Sequence, residues 1–188
     1  MAEVKGTKIT SKLEFVRQRY GAEALERVLA ALPPAHREAV AHALPIGWYD
    51  LAAYDELVES ICKVAAQGDT AVYDLMGADS AERQMGTVYG AYLKQDLLRT
   101  IENMVPMHGQ LNRPAEMRVE RAADGSGPGH ACTIVVRAPR STAAGCRVSR
   151  AFYRRVAELS GVRDVSVAES TCTSRGDDAC RFHLRWSA

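Results

Sequence analysis

Val162-Arg163-Asp164-Val165-Ser166-Val167-Ala168-Glu169-Ser170-Thr171-Cys172-Thr173-Ser174-Arg175-Gly176-Asp177-Asp178-Ala179-Cys180-Arg181-Phe182-His183-Leu184-Arg185-Trp186 is the stretch on which the fold turns. Val162 to Ser170 reads as a strand, Arg175-Gly176-Asp177-Asp178 as a tight turn, and Cys180 to Trp186 as the returning strand. His183 alternates with Phe182 and Leu184, so it faces away from the core. The residues just before this hairpin, about Cys146 to Ser160, carry Val148, Phe152, Val156 and Leu159 on one helical face. Before that helix comes a second hairpin. Met117, Val119 and Arg121 alternate with polar residues, Ala123-Asp124-Gly125-Ser126-Gly127-Pro128-Gly129 is a turn, and Thr133 to Arg137 returns. Hairpin, helix, hairpin predicts an antiparallel sheet of about four strands with one crossover helix.

The first hundred residues read helical. Ser11 and Glu14 have capping-box spacing and open a helix that Gly21 can close. Leu25, Val28, Leu29 and Leu32 make an amphipathic second helix, ended by Pro33-Pro34. Pro34 suits the first turn of a third, running to about Leu44. Pro45 to Tyr49 is a loop, and Asp50 caps a helix from Leu51 to Gln67, closed by Gly68. Residues 70–108 are helical again, with breaks expected near Gly77 and Gly86–Gly90. N-terminal helices packed on a C-terminal sheet give the α+β class. One domain, 1–188, is expected, with a helical half (1–110) and a sheet-bearing half (111–188).

Composition narrows the function. A chain of 188 residues with 47% hydrophobic and 25% charged residues can build a substantial core. The net charge of +1 gives no case for nucleic acid. Residues 1–110 carry 11 basic and 15 acidic side chains, residues 111–188 carry 13 and 8, an asymmetry that reads as solvated faces. No stretch approaches the ~18 apolar residues of a membrane span, and the first ten residues are no secretory signal. A cytoplasmic protein is expected, with its five cysteines as thiols. No catalytic Ser/His/Asp or Cys/His pairing and no phosphate-binding Gly-rich loop is visible, so no enzyme is expected.

Four residues near the last hairpin carry metal-binding chemistry. Glu169, Cys172 and Cys180 bracket its turn, and Cys146 lies at the mouth of the preceding helix, where backbone N–H groups favour a thiolate. Thiolates and a carboxylate can close a tetrahedral zinc site. Glu169 and Cys172 are three apart and would point to opposite faces of a regular strand, so the strand must end or bulge by about Thr171. Spacing alone leaves a plain core role open for these cysteines, since paired C-x-x-C knuckles are absent.

The run Val167 to Phe182, with Glu169, Cys172, the Gly176-Asp177 turn, Cys180 and Phe182, resembles the terminal signature of the 4-vinyl-reductase type domain. That domain is similar in fold to TRAPP vesicle-tethering subunits and related to haem–NO-binding sensors. It also resembles the sensor domains of phenol- and toluene-responsive activators, whose zinc site uses a Cys before a helix, a Glu and two Cys. Cys146, Glu169, Cys172 and Cys180 fall in that order. The resemblance thus implies structural zinc on these four residues. The segments Lys5-Gly6-Thr7, Leu13 to Arg17, Arg27 to Pro33 and Gly47-Trp48-Tyr49 are similar to a large paralogous family of myxobacterial proteins without an assigned activity. No phenol pocket motif maps onto the chain.

The resulting expectation is a non-enzymatic sensor or signalling module that binds a small apolar ligand. The alternative is a TRAPP-type interaction or dimerisation scaffold without a ligand. An enclosed cavity of roughly 300 Å³ or more would favour the first, a filled core with an exposed apolar patch the second. Candidate pocket residues are Tyr73, Met76, Tyr92, Met104, Tyr153 and Val167, whose Met and Tyr side chains suit irregular spaces. His108 follows Met104-Val105-Pro106-Met107, but no haem motif accompanies it, so haem is not expected. A homodimer is expected through Leu51, Tyr54, Leu57, Val58 and Ile61, and a protein partner is expected to carry the output.

Overall fold

The computed structural model describes residues 2–94, 96–114, 116–121, 130–137 and 142–187. The chain opens with β1 (Glu3–Lys5), α1 (Gly6–Tyr20), α2 (Ala22–Ala30), α3 (Pro34–Ala41), β2 (Trp48–Asp50) and α4 (Leu51–Ser60). A π-helical turn, Ile61–Ala65, extends α4. Then come α5 (Val72–Met85), a 3₁₀ segment (Val88–Lys94), α6 (Leu97–Leu111) and β3 (Asn112–Arg113). The sheet-bearing part holds β4 (Glu116–Arg121), β5 (His130–Arg137), α7 (Ala143–Leu159), β6 (Arg163–Thr171) and β7 (Cys180–Ser187). Four strands form an antiparallel sheet in the order β4-β5-β7-β6, as the alternation predicts. The expected turn at Ala123–Gly129 lies outside the described residues.

Several local expectations are met by the chemistry that predicted them. Asp50 Oδ1 accepts from the Ala52 N–H at 3.0 Å and caps α4. Pro34 occupies the first turn of α3, where its missing N–H is harmless. Three expectations are corrected. Ser11 and Glu14 do not open α1, which starts at Gly6. Its first N–H groups are satisfied by backbone, Gly6 N donating to Gly47 O and Thr7 N to Pro45 O, so no side-chain cap is needed there. Consequently Trp48 and Tyr49 are not loop: they pair with β1 as β2, in a small sheet ordered β2-β1-β3. Gly77 does not break α5. It lies inside the helix because α7 crosses there, with Ala151 Cβ 2.6 Å from where a Cβ would stand.

Two cores follow. One gathers Val4, Ile9, Val16, Val28, Leu57, Val58, Ile61, Met76 and Val148. The other gathers Leu97, Ile101, Met104, Ile134, Val156, Phe182 and Leu184 between α6, α7 and the inner face of the sheet. α5 and α7 contribute to both. The face expected to dimerise is internal: Tyr54, Leu57, Val58 and Ile61 are buried within the first core, because α1, α2, α3 and α7 pack on α4. The wide apolar stripe reflects burial on several sides, not a free surface.

Candidate functional site

Where α1, α5, α6 and α7 converge they leave a cavity of about 620 Å³. One wall is apolar, with Met104 and Met107 from α6, Phe152 and Tyr153 from α7, and Met117 from β4. The lining also carries Lys8 and Lys12 from α1 and Ser80, Arg83 and Gln84 from α5. His108, near the end of α6, lines the cavity, and its Nε2 is buried without a hydrogen-bond partner. Burial, reinforced by the Lys8 ammonium, lowers its pKa from 6.5 to about 4, so the ring is neutral at pH 7. Asn112 Nδ2 donates to the His108 carbonyl at 3.0 Å and stands 3.5 Å from its Nδ1. Asn112 Oδ1 accepts from Lys8 Nζ at 2.7 Å, which ties α1 to the end of α6.

A smaller cavity of about 80 Å³ adjoins the first and shares Lys8, His108, Asn112 and Tyr153 with it. Cys146 and Cys180 line its far side. There the four predicted metal-binding residues come together. The ligand atoms of Cys146, Glu169, Cys172 and Cys180 all lie within 4.8 Å of one another. Cys146 Sγ is 2.9 Å from Cys172 Sγ and 3.4 Å from Cys180 Sγ, and Cys172 and Cys180 are 3.9 Å apart.

The backbone explains the convergence. Thr142 Oγ1 accepts from the Gly145 N–H and starts α7, placing Cys146 in its first turn. The register of β6 against β7 slips between Glu169 and Thr171, the irregularity that the three-residue spacing requires, so Cys172 returns to the inner face with Glu169. Asp177 Oδ2 accepts from the Cys172 N–H at 2.7 Å and braces the turn. The Cys180 thiol is pulled down from 9.0 to about 5 by the Cys146 thiol and, against burial, by the Thr173 N–H, whereas Cys146 is pushed up. Glu169 Oε1 is buried with no hydrogen-bond partner, an uncommon state for a carboxylate oxygen.

Of the candidate pocket residues, Met104 and Tyr153 line the cavity. The others do not. Met76 is fully buried in the N-terminal core, Tyr73 packs at that core's edge beside Arg147, Tyr92 packs beside Tyr89, and Val167 packs under α7. Apolar periodicity marks burial and does not distinguish a cavity wall from a solid core. Lys8, Lys12 and Asp55 were not singled out in the sequence. Their signal was there: Lys12 falls between Ile9 and Val16 on the apolar stripe of α1, where a lysine does not belong. His183 lies on the outer sheet face, as its alternation with Phe182 and Leu184 predicts, and bridges Thr133 Oγ1 at 2.9 Å and Ser170 Oγ at 2.7 Å.

No family model and no curated protein matches the sequence. Solved structures do match the fold. An H-NOX protein from K. algicida, the A71G mutant in its Fe(II) unliganded form, superposes with a TM-score of 0.74 at 12% identity, covering 98% of this chain and 97% of its own. An H-NOX protein from S. oneidensis in the Fe(II)NO state gives a TM-score of 0.74 at 12% identity, with 98% and 99% covered. A third, described by the modulation of haem redox potential through porphyrin distortion, gives 0.66 at 13%, with 98% and 99% covered. These matches carry the haem–NO part of the sequence resemblance, not its 4-vinyl-reductase or TRAPP part. They also correct the cofactor expectation. The proteins that share this architecture are described by iron and haem, which overturns the expectation of structural zinc without haem. At these identities the likeness establishes architecture: the chain has the H-NOX fold.

Proposed function

We propose that the protein is a non-enzymatic ligand-sensing module whose ligand occupies the cavity between α1, α5, α6 and α7. The observation that carries this reading is the cavity itself. At about 620 Å³ it lies in the size range of small-molecule sites, and a packed interaction scaffold has no use for such a space. The TRAPP-type alternative, which needs a filled core, is correspondingly weakened. A sensor passes its state on by contact, so a protein partner belongs to the reading.

Haem is the first ligand to test, and the residues present fit it. His108 offers a buried, unpaired, neutral imidazole on the cavity wall, the donor type found on the proximal side of many haem proteins. Met104, Met107, Phe152 and Tyr153 offer an apolar face, and Lys8, Lys12 and Arg83 a basic one. Bound haem would supply the iron that takes up a diatomic gas. Asn112 fixes the end of α6 from which His108 projects, and the buried aromatic pair of Tyr153 and Phe182, 5.3 Å between centroids, keeps water from that side. Titration of the purified protein with haem tests this. A saturable 1:1 Soret shift that His108→Ala displaces or abolishes is expected. Absence of saturable binding removes haem and leaves the smaller apolar ligands to a thermal-shift screen.

We also propose that Cys146, Glu169, Cys172 and Cys180 hold a thiolate-preferring cation that pins the β6–β7 turn to the start of α7. Four convergent donors, among them a buried carboxylate oxygen with no hydrogen-bond partner among the described residues, support it.

A further inference from the structure

We infer that the cavity ligand carries a carboxylate and that Lys8 and Lys12 receive it; the inference rests on the cavity reading above and names the chemical class that the cavity selects. Lys8 and Lys12 lie one helical turn apart on α1 and face the same space. Lys12 is 1% exposed. Its Nζ donates to Met76 O at 3.1 Å and to Ser80 Oγ, which leaves one N–H of the ammonium unused. Lys8 Nζ donates to Asn112 Oδ1 and sits 4.6 Å from the centre of the Tyr54 ring, which leaves two.

Buried ammonium groups are almost always paired with a carboxylate. Among the described residues neither lysine makes an ion pair. Asp55 and Asp79 act on them only at longer range, and Asp79 is held by Arg83 at 2.8 Å. Glu14, the one acidic side chain among the described residues that line the cavity, is engaged by Arg17 and Gln18. The wall therefore presents about three unused N–H donors to which no carboxylate of the described residues is paired. A carboxylate, with two oxygens and about four lone-pair sites, satisfies that set. The apolar residues of the same lining, Met104, Met107, Phe152 and Tyr153, require the rest of the ligand to be hydrophobic. A fatty acid and a porphyrin bearing carboxylate side chains share this chemistry.

Paired probes test the inference on the full chain by calorimetry: dodecanoate against dodecanol, and haem against haem dimethyl ester. The acid of at least one pair is expected to bind about tenfold or more tighter than its neutral counterpart, because it forms charge-assisted hydrogen bonds. Which pair shows the gap identifies the source of the carboxylate. Lys8→Met and Lys12→Met, which keep length and remove charge, are expected to erase the gap between acid and neutral probe, with circular dichroism confirming the fold. Equal binding of acid and neutral probe overturns the inference alone, as does a gap that survives both substitutions. Binding of no probe from either pair overturns the cavity reading with it.

Discussion

His108 keeps Nε2 buried without a partner, and burial permits its ring only the neutral state. Glu169 Oε1 is in the same position beside three sulfurs. Leaving a buried polar atom unsatisfied costs about 1–3 kcal/mol, so each such atom calls for a function or a ligand. The cysteine cluster was legible in the sequence because thiol chemistry and a strand irregularity could be argued from spacing, which left a plain core role open, and the family resemblance put the same four residues together. Lys12 was less legible, since its burial depends on α5 closing over α1. A residue-scale prediction follows for the cluster. Titration with Co²⁺, used as a spectroscopic probe, is expected to give sulfur-to-metal charge-transfer absorption saturating at one equivalent. Cys172→Ala should abolish it, and Cys62→Ala, whose thiol is buried far along the chain beside Asp69, should not. Absence of the bands in the parent protein ends the metal proposal.

At the scale of elements, α5 and α7 join the two cores, and their crossing depends on one missing side chain. A Cβ on Gly77 would press into the Val148 carbonyl oxygen and stand 2.6 Å from Ala151 Cβ. Both obstacles belong to the rigid middle of α7, so the helices must separate to accept it. Gly77→Ala is therefore expected to destabilise by roughly 1–3 kcal/mol despite alanine's better helix propensity, the overpacking term exceeding the propensity gain of about 1 kcal/mol. Thermal unfolding should register a fall of several degrees. Gly86→Ala, a helix-end control whose added Cβ would meet the Glu82 carbonyl at 3.1 Å, should shift stability less. From sequence, Gly77 looked like a helix break because a glycine's two uses, loosening a helix and admitting a neighbour, share one letter. The start of α1 was misplaced for a similar reason. Its N–H groups are capped by the Pro45–Gly47 backbone, a contact about forty residues away that no local pattern encodes.

Across the whole molecule, the α+β class and the four-stranded sheet followed from alternation and turn chemistry, which are local. The cavity did not, because it is what remains when four helices fail to fill the space between them. Its burial of charge has a consequence for stability against pH. Burial lowers the Lys12 pKa from 10.5 to about 7, with Asp79 opposing and Lys8 and Arg83 reinforcing the shift. Lys8 is lowered from 10.5 to about 8 by burial, with Asp55 opposing. In both cases the unfolded chain holds a proton that the folded chain has released, from the folded pKa up to 10.5. Stability therefore rises with pH through that window, and below pH 7 the fold carries the full penalty of the buried ammonium. Asp55 runs the other way. Burial raises it from 3.8 to about 7, so the folded state keeps a proton that the unfolded state has lost, and stability falls as pH climbs from 4 to 7. The two trends meet near neutrality, and above it the lysines dominate. Urea unfolding of the ligand-free protein at pH 7.0 and 8.5 is expected to show a gain on the order of 1 kcal/mol at the higher pH. Lys12→Met should be the more stable protein at pH 6.5 and should lose most of that gain. An unchanged slope in Lys12→Met would mean that the Lys12 ammonium is stabilised in the fold and that the cavity wall is not short of a counter-ion.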